Sequence, residues 1–282
     1  MTEDFAAKYG AWAIVVGASD GVGALFAERL ADEGVNVVLI ARRQHLLDEV
    51  AQRIHERTDA ETRTLAVDLT DPNASVAITD ATADIEVGML VYCAGGDPNY
   101  KRFLTTQISE AEALLQRNCL VMMRLCHHYA PPMVERGRGG IVIFTSGAAL
   151  AGGRNMVVYG GTKAFDMVFA EGLWAELRGT GVDVVGLVLG KTDTPALRRI
   201  EHSRGQIASL ADAPPGATPA ADVVRDAFDN LGNGPTYLAT EDVRMAGSLF
   251  GTMTRNDVVK LIMEATAAVM GPDQSAEADT PT

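Results

Sequence analysis

The feature that most constrains the fold is an alternation of short apolar runs with longer amphipathic segments. The first two pairs are AWAIVVG (11–17) with segment 22–33, and NVVLIA (36–41) with segment 44–57. Apolar runs of this length without polar alternation are typical of strands that are buried on both faces. Strands that alternate with helices form a parallel sheet with helices on both sides. The sequence therefore predicts an α/β fold with a doubly wound parallel sheet.

Five further apolar runs extend the alternation, so we expect a sheet of about seven strands. These runs are residues 62–68, 87–95, 139–146, 182–190 and 235–240. The same reasoning predicts long helices over residues 109–136 and 157–178, and a helical end to about Met270. Because no linker or internal repeat divides the chain, we expect one domain over residues 1–271. A polar tail over residues 272–282 has the composition of a disordered segment.

Three helix starts carry local signals. Asp71-Pro72 combines an N-cap with a first-turn proline and predicts a short helix. Ser109 and Glu112 have the spacing of a capping box at the start of a long helix. Thr218-Pro219 predicts the start of a later helix.

Composition limits the partners and the compartment. The chain has 282 residues, 47% of them hydrophobic, and a formal net charge of −13. An acidic chain is a poor partner for nucleic acid or an anionic membrane surface, and no apolar run is long enough to span a bilayer. Cys93, Cys119 and Cys126 are too few and too unpatterned for a disulfide scaffold or a zinc site. We therefore expect a cytoplasmic protein with reduced thiols and no metal.

A glycine-rich turn follows the first predicted strand and leads directly into the first helix. It reads Gly17-Ala18-Ser19-Asp20-Gly21-Val22-Gly23. Glycines permit a sharp turn and let a pyrophosphate approach the free N–H groups at the helix N-terminus. Such a turn alone could be only a tight loop. Its place between the first strand and first helix of a doubly wound sheet predicts a dinucleotide-binding site.

The end of the second strand bears on which dinucleotide binds. Enzymes that prefer NAD usually carry a carboxylate here, which accepts hydrogen bonds from the ribose. This chain carries Ala41-Arg42-Arg43 instead, so guanidinium groups can attract the additional phosphate of NADP. The alternative is that Arg42 and Arg43 only begin a solvated helix face. We expect NADP(H), with NAD(H) as the second possibility.

Tyr159 and Lys163 lie four residues apart in VVYGGTKAF (157–165), so on a helix they share one face. A cation one turn away stabilises a phenolate, and a phenol so placed can exchange a proton with a carbonyl oxygen. Ser146, at the end of the fifth strand, can donate a hydrogen bond to the same oxygen. A YxxxK pattern arises by chance in many helices, and Ser146 could be a turn residue. Together these residues predict a catalytic site.

The GxxxGxG spacing and the Tyr-x-x-x-Lys pattern together resemble the short-chain dehydrogenase/reductase family over roughly residues 10–240. The resemblance implies a Rossmann-like fold and NAD(P)-dependent interconversion of a ketone and a secondary alcohol. It implies that Ser146, Tyr159 and Lys163 are catalytic, and that Asn118 is a fourth catalytic residue that helps to hold a water. It also implies a homodimer or homotetramer built through long helices.

The resemblance implies further cofactor contacts. These are Asp68 and Leu69 at the adenine, Cys93-Ala94-Gly95 beside the cofactor, and Gly190, Thr192 and Thr194 near the nicotinamide and pyrophosphate. Three departures accompany it. Tyr92 and Cys93 replace two asparagines that brace the sheet, and Leu189 replaces a proline. Asp20 stands where some NADP-using relatives carry a basic residue.

Residues 191–219 form the longest connection without a predicted strand, and such a segment is often a lid. It offers apolar lining, so we expect a small to medium apolar ketone or alcohol as substrate. The lining residues are Leu197, Ile200, Ile207 and Leu210. Two alternatives stay open: a non-catalytic NADP(H) sensor or scaffold, and a β-ketoacyl-carrier reductase. The latter would dock an acidic carrier through Arg198, Arg199 and Arg204.

Overall fold

The computed structural model describes residues 5–96 and 100–270, and its centre is a seven-stranded parallel sheet. The strands are β1 Trp12–Val16, β2 Asn36–Ala41, β3 Thr62–Ala66, β4 Val87–Tyr92, β5 Gly139–Ser146, β6 Val182–Leu189, β7 Thr192–Asp193, β8 Thr218–Pro219 and β9 Thr236–Leu238. The sheet has the order β3-β2-β1-β4-β5-β6-β9, and β7 pairs with β8 in a separate two-stranded ladder. The predicted α/β fold class and strand number are therefore confirmed.

Helices connect the strands and cover both faces of the sheet. They are α1 Phe5–Tyr9, α2 Gly21–Asp32, α3 Gln44–His55, α4 Ala74–Asp80, α5 Ile108–Leu115, α6 Val121–Arg136, α7 Val157–Leu177, α8 Pro195–Ser203, α9 Ala220–Asp229, α10 Glu241–Phe250 and α11 Arg255–Met270. Within the described residues, no helix combines the length and the apolar composition needed to cross a bilayer. The predicted tail over residues 272–282 lies outside the described residues.

Alternation along each strand produces two separate cores. Val15 and Leu39 face one side of the sheet, where they pack with Phe26 of α2 and with α3 and α9. Their neighbours Ile14 and Ile40 face the other side, where they pack with α4, α6 and α7. All of these side chains are fully buried, and each contributes about 1.5–3 kcal/mol through the hydrophobic effect. Burial on both faces explains why the strands read as continuous apolar runs.

The strand order reverses between β1 and β4, which places the ends of several strands at one edge. From β1 the chain proceeds outward to β2 and β3, then returns to β4 on the other side of β1. Val16 pairs with Tyr92 at the ends of β1 and β4, and Ser146 pairs with Leu189 at the ends of β5 and β6. A crevice at such a reversal is where open parallel sheets bind ligands.

Three predicted helix starts are wrong. The helix after Asp71-Pro72 begins only at Ala74, because the Asp71 carboxylate accepts from the N–H of Asn73 at 2.7 Å and closes a turn before the helix. The capping box predicted at Ser109 is absent, since α5 begins one residue earlier and its N-cap residue is Gln107. Thr218-Pro219 also lies outside its predicted helix: the two residues form β8, Pro219 is the N-cap residue, and α9 begins at Ala220.

The helix predicted over residues 109–136 is interrupted. Residues Gln116–Leu120 form a π-helical turn between α5 and α6. A π turn inserts one additional residue into the helical repeat, and such turns occur often at functional sites. Asn118 lies in its middle, so the interruption alters the direction of a predicted catalytic side chain.

Candidate active site

The candidate active site is a cleft of about 1300 Å³ at the edge of the sheet where β1, β4, β5 and β6 end. Every residue that the sequence predicted for catalysis or cofactor binding lines this cleft, except Asp68 and Asn118. Both exceptions adjoin a lining residue. Asp68 precedes Leu69, and Nδ2 of Asn118 lies 3.4 Å from the carbonyl oxygen of Gly95. The fold thus brings together segments that are far apart in sequence.

The glycine-rich turn has the geometry of a phosphate-binding loop. Gly17 and Gly21 have φ angles of +95° and +60°, in the left-handed region that side chains disfavour. A Cβ on Gly23 would overlap the carbonyl oxygen of Gly17, so the turn closes tightly against α2. Asp20, the N-cap residue, makes no side-chain bond to the helix and leaves the first N–H groups of α2 for an anion. The loop therefore fits a dinucleotide pyrophosphate.

Two arginines converge on Asp20 beside this turn. The Oδ2 atom of Asp20 accepts hydrogen bonds from Nη2 of Arg43 and from Nη2 of Arg199, each at 3.0 Å. Arg43 also donates to Oγ of Ser19 at 3.2 Å. Arg42, the other predicted phosphate ligand, is exposed on the same cleft. The negative charge of Asp20 is therefore offset by neighbouring cations.

Asp68 and Leu69, predicted at the adenine, differ in placement. Leu69 is buried on the cleft wall, whereas Asp68 is exposed. The Asp68 Oδ1 accepts from the N–H and the hydroxyl of Thr70, at 2.9 and 2.8 Å. These bonds, chiefly the one from the backbone N–H, lower the pKa of Asp68, with smaller contributions from Arg42 and Arg117. Asp68 thus bonds to its own loop.

Tyr159 and Lys163 lie one turn apart on α7, as predicted, but in different surroundings. Tyr159 is half-buried on the cleft wall. Lys163 is buried, and its Nζ donates to the carbonyl oxygen of Phe144 at 2.8 Å and to Oδ2 of Asp166 at 3.0 Å. The ammonium group is therefore held from two directions. The Asp166 contact was not predicted.

Ser146 is half-buried at the carboxyl end of β5, on the same cleft as Tyr159. Its Oγ accepts a hydrogen bond from the N–H of Ala148 at 3.2 Å. A hydroxyl that accepts in this way still has its own proton to donate. Ser146 is therefore available as a donor to a substrate oxygen, which is the role the sequence predicts for it.

Asn118 lies beneath the cleft and not on its wall. Its fully buried Nδ2 donates to Oγ1 of Thr162 on α7 at 2.9 Å, and its Oδ1 accepts from Nε of Arg117 at 3.2 Å. Gly95 lies directly above it, since a Cβ there would come within 2.7 Å of Oδ1. Asn118 thus links the loop after β4 to the helix that carries Tyr159. Its predicted role in holding a water stays a prediction.

Tyr92 shows how the chain compensates for one departure from the family pattern. Its ring is buried, and its hydroxyl donates to the carbonyl oxygen of Arg117 in the π turn. Burial raises the pKa of Tyr92 well above its usual value. Burial likewise raises the pKa of the neighbouring Cys93 thiol to about 12, although Lys163 opposes this. The sheet is thus braced by a neutral phenol in place of asparagine.

The loop after β6 is braced by groups that the sequence did not indicate. The N–H of Gly190 donates to Oγ1 of Thr240 at 2.9 Å, and a Cβ at Gly190 would overlap the carboxylate of Asp242. Thr192 is buried. Oγ1 of Thr194 accepts from the N–H of residue 197 at 3.1 Å, so Thr194 caps α8. The contacts after β9 thus support a turn that lacks the family's proline.

The predicted lid, residues 191–219, contains a helix and two short strands. Leu197 and Ile200 of α8 line the cleft, but Ile207 and Leu210 do not. Each arginine that could form a docking patch already has a partner. Arg198 binds Asp193, Arg199 binds Asp20, and the Arg204 guanidinium lies 5.5 Å from the ring centre of Tyr100.

Sequence reasoning missed several residues that shape the site. Asp166 had one available signal, since it lies three residues after Lys163 and therefore on the same helix face. Arg199 and Asp242 had no signal in the sequence, because their contacts join segments that are far apart along the chain.

Comparison with known proteins gives a consistent result. The profile of the family described as short chain dehydrogenase matches residues 11–205. The chain is 33% identical over 258 residues to a 7β-hydroxysteroid dehydrogenase of Clostridium sardiniense, covering 91% of this chain and 95% of the relative.

Solved structures agree with the sequence match. A structure from a study of 7β-hydroxysteroid dehydrogenase stereoselectivity superposes with a TM-score of 0.83 at 27% identity, covering 92% of this chain and 99% of that one. A short-chain dehydrogenase from Sphingobium yanoikuyae in complex with NADPH superposes with a TM-score of 0.73 at 26% identity, covering 86% and 96%.

Proposed function

The chain belongs to the short-chain dehydrogenase/reductase family and is an oxidoreductase acting on CH–OH groups, and we propose that it interconverts a ketone and a secondary alcohol on an apolar substrate with NADP(H). One observation carries the proposal. Ser146, Tyr159 and Lys163 converge on the cleft that the glycine-rich turn also lines. The candidate catalytic groups and a loop that fits a phosphate therefore line the same cleft.

The residues of the cleft fit the cofactor in three places. The glycine-rich turn and the N-terminus of α2 would hold the pyrophosphate, while Arg42 and Arg43 would hold the ribose phosphate. Gly190, Thr192 and Thr194 would hold the nicotinamide end. When bound, the nicotinamide supplies or accepts hydride.

The chain's own residues handle the proton. Ser146 donates a hydrogen bond to the substrate oxygen and holds it near Tyr159. The phenol of Tyr159 gives its proton to that oxygen during reduction and takes one back during oxidation. The ammonium of Lys163 stabilises the phenolate that remains after the proton leaves. Asn118 supports this arrangement by fixing the start of α7 through Thr162.

A preference for NADP(H) over NAD(H) is proposed from the charges at the end of β2. Arg42 and Arg43 carry two positive charges there, and Asp20, the carboxylate nearest to Arg43, is offset by Arg199. We expect Arg42→Ala and Arg43→Ala each to raise the KM for NADPH by about tenfold to a hundredfold, with little change for NADH. Steady-state kinetics with both cofactors test this. An equal loss with NADH would contradict the preference.

The substrate is proposed to be a steroid-sized ketone or alcohol. The similarity to 7β-hydroxysteroid dehydrogenases supports this, as do Leu197 and Ile200, two apolar side chains of α8 that line the cleft. A panel of oxosteroids, aliphatic ketones and β-ketoacyl thioesters, assayed by loss of NADPH absorbance, would test the choice. Turnover of the oxosteroids supports the proposal, and turnover of the thioesters alone would overturn it.

The surface supports assembly into a homodimer or homotetramer. Exposed apolar side chains lie on α5 and α7, among them Ile108, Phe165 and Val168. A cytoplasmic location is proposed because all three cysteines are free thiols, as expected in a reducing compartment.

The alternatives have weaker support. A carrier reductase would need the arginines of residues 198–204 for docking, but these side chains already contact other parts of this chain. A non-catalytic sensor would not need a buried lysine one turn from a cleft-lining tyrosine. Replacing Tyr159 separates the sensor from the enzyme, because only the enzyme loses a rate.

A further inference from the structure

Lys163 has a buried carboxylate beside it. Asp166 lies three residues further along α7, and its Oδ2 is 3.0 Å from Nζ of Lys163. The side chains of the pair are 5% and 1% exposed. Exposed ion pairs contribute little and respond to salt, whereas a buried pair changes the charge that its neighbours experience. The carboxylate therefore alters the electrostatics of the candidate catalytic lysine.

We propose that Asp166 is a positioning residue, which fixes the ammonium group of Lys163 and offsets part of its charge, and thereby sets the pH range in which Tyr159 exchanges protons. The inference rests on the proposed function, because it concerns the same tyrosine and lysine.

Hydrogen bonds from two elements fix the position of the Lys163 ammonium group. An ammonium group has three protons to donate, and two of them go to Phe144 and Asp166. The strand β5 and the helix α7 thus hold Nζ from two sides, which leaves one proton for the cleft. Without Asp166, the flexible lysine chain would keep a single anchor.

The groups that surround the pair decide which charge balances that of Asp166. Asp166 is faced by Tyr92 from β4, by Cys119 from the π turn and by Cys126 from α6. Burial raises the pKa of both thiols to about 12 and that of Tyr92 well above its usual value, so all three are neutral. Of these groups and Lys163, only the lysine can balance the carboxylate. The second carboxylate oxygen, Oδ1, has no hydrogen-bond partner within the described ranges 5–96 and 100–270.

Burial raises the pKa of Asp166, and the charge of Lys163 opposes that rise. Cys93, which faces Lys163 from the loop after β4, is neutral as well because burial raises its pKa to about 12. Lys163 is thus the one charged group among the described residues that acts on Asp166. Tyr159 therefore experiences a lysine whose positive charge is partly cancelled.

The size of the effect follows from the spacing. Tyr159 and Asp166 are seven residues apart on α7, which is about 10 Å along the helix axis. At an effective dielectric constant of about 20, one charge at that distance changes a proton affinity by about one pH unit. Removing the negative charge of Asp166 favours the phenolate of Tyr159. The pH dependence of alcohol oxidation and that of ketone reduction therefore both move to lower pH.

The experiment uses Asp166→Asn, which keeps the size of the side chain and an oxygen that accepts from Lys163. We expect the acidic limb of alcohol oxidation and the basic limb of ketone reduction to shift down by about one pH unit. The KM for NADPH should change by less than about threefold. An unshifted profile in a folded variant would overturn the proposal.

Two further variants separate charge from position. Asp166→Glu keeps the charge but displaces the carboxylate, so kcat should fall while the limbs stay at their original pH. This variant also carries the test if Asp166→Asn does not fold, and an unchanged kcat would then refute the positioning role. Glu28→Gln is the matched control, because Glu28 is a buried carboxylate that pairs with Arg53 and Arg57 and does not line the cleft. It should lower thermal stability without moving the profile.

Tyr159→Phe distinguishes a failure of the proposed function from a failure of the proposed role of Asp166. If this variant keeps the full rate, the proposed function fails, and the role of Asp166 fails with it. If Tyr159→Phe is inactive while Asp166→Asn has the original profile, only the role of Asp166 fails.

Discussion

At the scale of single residues, Cys93 combines a place on the cleft with an inert thiol. Burial raises its pKa to about 12, since the effects of Lys163 and Asp20 are smaller. The thiolate is the reactive form, so at pH 7.5 we expect alkylation by iodoacetamide to be at least about a thousandfold slower than for a free cysteine. Mass spectrometry of the modified peptide, with and without NADPH, measures the rate. Rapid labelling of Cys93 would contradict the raised pKa of its thiol.

A second residue-scale prediction concerns Gly95. It has a φ of +122°, and a Cβ there would come within 2.7 Å of Oδ1 of Asn118. Gly95→Ala should therefore destabilise the protein by about 1–3 kcal/mol and lower kcat by displacing Asn118. The adjacent Gly96 is the control, because a Cβ on it would meet no described residue within 4 Å. Thermal unfolding and kcat that change equally in Gly95→Ala and Gly96→Ala would refute this account.

The residues that line the cleft were easier to identify from the sequence than the buried residues that contact them from behind. Tyr159, Lys163 and Ser146 could be found because helix periodicity and strand ends fix their location. The hydroxyl of Tyr92 donates to the carbonyl oxygen of Arg117, and no spacing rule predicts a contact between these two segments. The spacing of Asp166 and Lys163 indicates a shared helix face, but it does not show that both side chains are buried.

At the scale of elements, the start of α8 is held by an ion pair. Nε and Nη2 of Arg198 donate to Asp193 at 2.6 and 2.7 Å, and these bonds lower the pKa of Asp193. A depressed carboxyl pKa stabilises the fold above the unfolded value near 4, and the contribution disappears as the pH falls through the folded value. We expect Asp193→Asn to increase amide exchange of α8 at pH 7 by up to about fivefold, since partly exposed pairs contribute about 1 kcal/mol or less.

The control for α8 is an exposed pair on the neighbouring helix. Asp222 and Arg225 pair on α9, so Asp222→Asn should leave exchange of α8 unchanged. Acidification should loosen α8 only as the pH falls below about 4, and only in the protein that keeps Asp193. Equal exchange in both variants would show that the Arg198 pair does not hold this element.

Element types were predictable where one pattern dominated. Strands buried on both faces gave continuous apolar runs, and all seven predicted strands are present. The break between α5 and α6 was not predictable, because one residue added to a helix hardly alters its apolar spacing. The starts at Asp71 and Ser109 failed because these side chains could serve a turn or a helix equally well.

At the scale of the whole molecule, an exposed apolar surface predicts self-association. Val168 on α7 is 60% exposed, and Phe165 lies one turn away on the same helix. We expect light scattering to give the mass of a dimer or tetramer, and Val168→Glu to yield a smaller, folded and weakly active species. Val76→Glu, on α4, is the control, because Val76 is similarly exposed but lies on a different helix. A monomeric unmodified protein would contradict the prediction.

The order of strands is a whole-molecule property that the alternation did not contain. Alternating strands and helices predicted a parallel sheet, but the pairing of β1 with β4 joins runs about 75 residues apart, as Trp12 and Val87 show. The sequence therefore located the glycine-rich turn without showing how closely β5 and β6 approach it. Long-range pairing sets the shape of the cleft.

The most direct test compares the unmodified protein with Tyr159→Phe in single-turnover reduction of an oxosteroid, followed by loss of NADPH absorbance. The account predicts that both proteins bind NADPH equally well, and that the variant reacts about 10²–10⁴-fold more slowly because it has no phenolic proton to give. A variant that reduces the ketone at the unmodified rate would contradict the central claim.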